Sequence, residues 1–348
     1  MTAAHQIAER LDRLQQRHPV LGFTCAVVRK YADDGGGREA ALITYYGFLS
    51  IFPILLLGVS VVSKVLAERP DLRHQLVTEI VPVALQDTVE GAAAAMPTSP
   101  VPLVIGLVGL LLSGTGVVFS AYRTLNHVAA VPFRMRTGIV SCFLRVLAVL
   151  VLMITAAVAV AGLTVVVTAL PGRSQVLQAG AILGSLLIVF AGLVLAARLL
   201  LDRPAPLRSL WPAAAPAAIA VTLVLNVGAA VLPGLVRRAG AVYGSFATVA
   251  GIFTLLYLLS LALVFSAEIA AVRQARLWPR ALDPNHPTEA DAHALALLAR
   301  EQERTPVDRI ESWLDVPDPP TAPEPSDPAR SSLPGQPSSA RRTPPPAR

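Results

Sequence analysis

Ala40 to Ser63 reads AALITYYGFLSIFPILLLGVSVVS, 24 residues without a charge. At the 1.5 Å rise of an α-helix, such a run crosses a hydrocarbon core that needs about 20 residues. A helix satisfies its own backbone hydrogen bonds where no water can do so. Tyr45, Tyr46, Ser50 and Pro53 interrupt the run, so it is no plain anchor. Polar atoms and a proline in lipid call for neighbouring helices that absorb them. The stretch therefore predicts one helix of a multi-span bundle.

Outward from it, the chain repeats the pattern. The composition is 54% hydrophobic and 15% charged, against about 25% charged in a soluble domain. The expected fold is all-α and polytopic, with spans near residues 42–63, 102–122, 146–170, 176–197, 210–232 and 246–272. This gives three divisions: 1–39, an amphipathic amino-terminal segment; 40–280, the transmembrane domain; and 281–348, a largely disordered tail. Residues 3–17 carry Ile7, Leu11 and Leu14 at helical spacing, which fits a helix on the membrane surface or against the ends of the bundle. Asp33 to Gly37 should break the chain. Between the first two spans, Leu72, Leu76, Ile80, Val81 and Leu85 predict an extracytoplasmic amphipathic helix. Thr288 to Arg304 predicts a short polar helix. Beyond it, 11 of the 34 residues from Asp315 to Arg348 are proline, the composition of a disordered segment.

Of the 29 basic residues, 27 are arginine. Spans flanked by arginine explain a basic chain without nucleic acid as a partner. Thirteen basic residues lie before span one and in the connections between spans two and three and four and five; six lie on the opposite side. The bias places both termini in the cytoplasm. Cys25 and Cys142 make no disulfide framework and are expected as free thiols.

Glu268, in FSAEIAAV near the inner end of span six, is costly as an unpaired carboxylate. Arg123, Arg145 and Arg198 fall at a similar depth, and a pair with at least one of them is expected. Such a pair could be structural, or part of a proton or headgroup site. Tyr46, Ser50 and Pro53 share one stripe of span one, which would line a pathway or pack on another helix. Ser113 to Gly116, Ser120, Gly180, Gly184, Gly240 and Gly244 read as close-packing positions. Asn226 is expected to bond a neighbouring helix. The six histidines are scattered, and no HExxH, CxxC or Walker pattern occurs. No enzyme activity, cofactor or metal is therefore expected.

Tyr45-Tyr46 followed by Ser50-Ile51-Phe52-Pro53 resembles the signature of the YihY/BrkB membrane proteins. Ser113 to Gly116 with Ala121, Leu125 and Asn126 is similar to their second-span pattern. Tyr243-Gly244-Ser245, Leu256-Tyr257-Leu258 and Ala267-Glu268 resemble their last span. The likeness covers roughly residues 25 to 280. The chain departs from it at Leu255, Ala217 and Ala270. The resemblance implies a six-helix inner-membrane protein linked to serum resistance and to export of lipids or lipopolysaccharide precursors. It adds Tyr45, Asn126 and Tyr257 to the pathway or headgroup candidates. The family's old ribonuclease label finds no metal-holding His and Asp cluster here. The leading expectation is a transporter or flippase-like handler of lipids or amphiphilic anions in the bilayer; the alternative is a scaffold for envelope assembly that contacts a cytoplasmic partner through its tail. A homo-oligomer is compatible with either.

Overall fold

In the computed structural model of the protein, the described residues are 12, 15, 18–65, 101–169, 175–203, 205–283 and 286–314. The two amphipathic helices expected within 3–17 and 64–100 lie wholly or largely outside them, as does the tail from Asp315. The described chain is all-helical: α1 (Pro19–Asp33), α2 (Gly36–Val65), α3 (Val101–Val128), α4 (Ile139–Ala169), α5 (Gln175–Leu200), α6 (Leu207–Tyr243), α7 (Ser245–Ala275) and α8 (Glu289–Glu301). A short 3₁₀ turn covers Phe133–Met135. Six of these helices, α2 to α7, are long and apolar enough to cross a membrane. They match the six expected spans, and most run past them, α6 furthest with its end at Tyr243, because a helix continues past the hydrocarbon into its polar flanks.

The breaks between helices follow local chemistry. Gly35 at φ 67° turns the chain between α1 and α2, a conformation that glycine adopts without a Cβ penalty. Gly244 at φ 58° separates α6 from α7; a Cβ at Gly240 or Gly244 would meet nothing within 4 Å, so these two are not the close-packing positions expected. α6 passes through Pro212, Pro216 and Pro233 without ending. Proline within a spanning helix is tolerated where neighbouring groups satisfy the freed carbonyls.

Helices adjacent in sequence are adjacent in space. α7 also packs on α2, and α3 reaches both α5 and α7. Glycine sets the closest approaches. A Cβ at Gly116 would stand 2.5 Å from the Tyr46 ring, one at Gly109 3.1 Å from Pro53, and one at Gly106 2.9 Å from Leu57. The stripe of span one thus faces the small residues of α3. Gly114 faces Leu150 of α4, and Gly184 faces Leu163, but Gly180 meets nothing. Asn226 donates to Thr222 O of its own helix at 2.7 Å. This corrects the expected interhelical bond: an amide side chain can close on the carbonyl one turn back.

The buried core sits at one end of the bundle. Tyr122, Cys142, Val146 and Leu200 join α3, α4 and α5. Ala26, Val27, Val272, Leu277 and Ala294 join α1, α7 and α8. Elsewhere Ile154, Val158, Leu183, Leu187, Leu223 and Val227 point outward, as residues solvated by lipid rather than water would.

Candidate functional site

The end that holds the core also gathers the charges. Lys30 sits in the last turn of α1, and its ammonium donates to Asp34, the residue that caps the helix. Glu268 Oε2 of α7 lies 3.1 Å from the same Lys30 Nζ. The three side chains are buried, Glu268 completely. Lys30 therefore replaces the arginine partners expected for Glu268. The reason is geometric: α1 is a helix packed against α7, which brings a cation from before the first span to the last one. Burial, then Tyr257 and Glu268, push the Tyr31 phenol on α1 above its ordinary value.

A histidine extends this group. His127 Nε2 stands 3.2 Å from the Asp34 carbonyl, and Nδ1 stands 2.8 Å from Glu301 of α8. A carbonyl only accepts, so Nε2 carries a proton; the contact with Glu301 then needs a second one. Histidine and carboxyl accordingly share a proton between them. Arg136 donates to Glu301 at 2.7 Å, and Arg134 pairs with Glu303 at 2.9 Å. α8 is anchored at its start as well. Thr288 and Asp291 form a capping box, and Asp291 accepts from Arg280 at 3.0 Å and from Ala281 N–H at 2.8 Å. Burial would raise the Asp291 carboxyl; the hydrogen bonds from Ala281, Thr288 and Arg280 outweigh it and hold the group below the usual carboxylate range.

A second cluster joins the third, fourth and fifth helices. Asp202 accepts from Arg145 at 2.8 Å and from the hydroxyls of Tyr122 and Thr137. Its backbone N–H donates to Asn126 Oδ1 at 3.0 Å, and Asn126 Nδ2 donates to the Leu200 and Tyr122 carbonyls. Arg145 is thus committed to Asp202, and Asn126 is a clasp between helices. The signal for Asp202, not used in the sequence reading, is that it is the sole acidic residue between Glu90 and Glu268, so a buried arginine between those positions has one local acidic partner.

Between these clusters lies a cavity of about 390 Å³. Leu125, Ala197, Leu210 and Ala270 give it apolar walls, Leu297 of α8 lies at one side, and Lys30, His127, Arg203 and Arg280 line it together with Asp33 and Asp34. It is not the cavity expected from the sequence. Tyr46, Ser50 and Pro53 do not line it: Tyr46 and Pro53 pack on α3, and the Ser50 hydroxyl bonds the Tyr46 carbonyl of its own helix at 2.9 Å. Tyr257 packs with the buried Ala40, Ile43 and Val264. Arg123 and Tyr45 share a shallow recess with Arg38 and Glu39, while Arg145 and Arg198 share another with Arg203. The ten candidates are thus divided among two recesses, two buried polar groups and the helix contacts. Lys30, Asp202, His127 and Glu301 are the residues that sequence reading missed.

A family model described as Virulence factor BrkB matches residues 27–291. The inner membrane protein YhjD of Escherichia coli is 29% identical over 106 residues, 28% of this chain and 30% of that protein. An uncharacterized protein of Dickeya dadantii is 34% identical over 92 residues, 24% of this chain and 26% of its own length. The matched stretch spans less than a third of either relative. No solved structure matches.

Proposed function

As this chain belongs to the virulence factor BrkB family of integral membrane proteins, we propose that it is an inner-membrane transporter or flippase-like protein for lipids or other amphiphilic anions. The observation that carries the reading is the cavity at the charged end of the bundle. A space of about 390 Å³ with apolar walls, where Lys30, His127, Arg203 and Arg280 stand beside Asp33 and Asp34 and Arg203 makes no ion pair among the described residues, suits a molecule with an apolar body and an anionic head. Arg203 borders both the cavity and the recess with Arg145 and Arg198. Asp202 is taken by Arg145, and Arg198 and Arg203 have no ion pair among the described residues, which suits them to attract a phosphate or carboxylate that guanidinium binds in two-pronged fashion.

The reading is non-enzymatic and places both ends of the chain in the cytoplasm. The inner-membrane location follows the name of the Escherichia coli relative and the family. The basic residues that flank the spans support the orientation. One observation favours the alternative, a scaffold: the polar stripe of span one is consumed by packing on α3, leaving no channel between those two helices.

Purified protein in liposomes, assayed for movement of a labelled anionic lipid between leaflets, separates the two. The transporter reading expects faster movement than in protein-free liposomes, slowed when Ala270→Trp fills the cavity. Equal rates with and without protein would leave the scaffold.

A further inference from the structure

Lys30 serves two places at once. Its ammonium pairs with Glu268 and Asp34, and its side chain, with that of Asp34, also lines the cavity. Glu268 lies behind it. That carboxylate is 0% exposed, and neither of its oxygens has a hydrogen-bond partner among the described residues. Lys30 is therefore its countercharge rather than one bond of several. The charged groups around Glu268 are Lys30, Asp34 and His127, with Tyr31 nearby on α1. Glu301 and Arg136 lie beyond the histidine. With one proton shared by His127 and Glu301, the cations Lys30, His127 and Arg136 face the anions Asp34, Glu268 and Glu301.

An anionic head group entering the cavity upsets that balance. It competes for the Lys30 ammonium, the cation nearest to the buried carboxylate. Asp34 lines the cavity, whereas Glu268 does not and has no second donor among the described residues. A buried carboxylate without a countercharge neutralises itself by binding a proton. We infer that Glu268 is a proton-binding site coupled to the cavity: when an anionic amphiphile draws Lys30 towards itself, Glu268 takes up one proton from the aqueous phase through the cavity. The charges balance, one negative charge and one proton entering together. This rests on the proposed function and adds the coupling ion to it; binding of the anion and the proton would be reciprocally linked.

The test uses full-length protein in a non-ionic detergent and short-chain dihexanoyl phosphatidylglycerol as the probe. Wild type should take up about one proton per bound lipid, read with a pH dye in weak buffer, and its affinity should fall about tenfold per pH unit once Glu268 is ionised in the free protein. Glu268→Gln should bind at least as well, without uptake and without that pH dependence. Binding by wild type with no uptake, or equal uptake by Glu268→Gln, would overturn the inference. A second arm needs no ligand. Lys30→Gln removes the countercharge, so its infrared spectrum at neutral pH should show a protonated carboxyl band that Lys30→Gln/Glu268→Gln lacks. Absence of that band overturns the proton site by itself. Failure of the lipid to bind, with the band present, would instead count against the proposed function alone.

Discussion

Lys30 Nζ stands 3.1 Å from the carboxylate of Glu268, although one residue precedes the first span and the other lies in the last. The pair ties the amino-terminal helix to α7 at the end of the bundle where the cavity lies. Removing one member of a buried pair leaves the other uncompensated, at a cost of about 3–5 kcal/mol.

Lys30→Met should therefore lower the folded fraction in detergent by an amount on the order of that cost, and Glu268→Met by less, since Lys30 keeps Asp34. Lys30→Met/Glu268→Met should lose less than the sum, since Glu268 is no longer stranded and only Asp34 is left without Lys30. Arg123→Met should not couple to Glu268→Met. Thermal unfolding of these variants and of Arg123→Met/Glu268→Met checks both cycles; additive losses for Lys30 and Glu268 would contradict the pairing.

Asp202 is nearly inaccessible, while Arg145 is 38% exposed. Asp202→Ala strands Arg145 and two hydroxyls together, whereas Arg145→Ala leaves a carboxylate still bonded to Tyr122 and Thr137. Thermal unfolding should rank Asp202→Ala as the more damaging of the two.

Gly116→Val and Gly180→Val test the packing. The first drives a side chain into the Tyr46 ring and should cost about 1–3 kcal/mol; the second meets nothing within 4 Å and should be close to neutral. Melting temperatures that shift equally would contradict the contact between α2 and α3.

The pH dependence of α8 follows from Asp291. Its carboxyl is held below its ordinary value of 3.8, so its contribution to docking is complete above that value and is lost as pH falls through the lowered one. Limited proteolysis of α8 should show wild type loosening on acidification. Asp291→Asn should be looser at neutral pH, with a smaller further change.

The six spans were legible because long uncharged windows admit little but a membrane helix. Their ends were less so: the continuation of α6 to Tyr243 passes Pro233 and two arginines, at which hydropathy alone stops. The helix from Thr288 was legible as a short polar segment, and the structure adds the capping box that Asp291 completes at its start. The partner of Glu268 was not, because Lys30 counts in the sequence as one more positive charge marking a side of the membrane. Only the folding of Pro19–Asp33 into a helix against α7 turns it into a buried countercharge. The stripe of Tyr46, Ser50 and Pro53 was visible as a stripe, but periodicity does not say whether a face meets water or glycine; Gly106, Gly109 and Gly116 opposite it decide the matter.

Reporter fusions at the two ends of the chain, in cells, test the arrangement on which the cavity and its charges depend. The account predicts that fusions after Arg348 and before Met1 both report the cytoplasm. Fusions reporting opposite faces, or both reporting the outside, would contradict it.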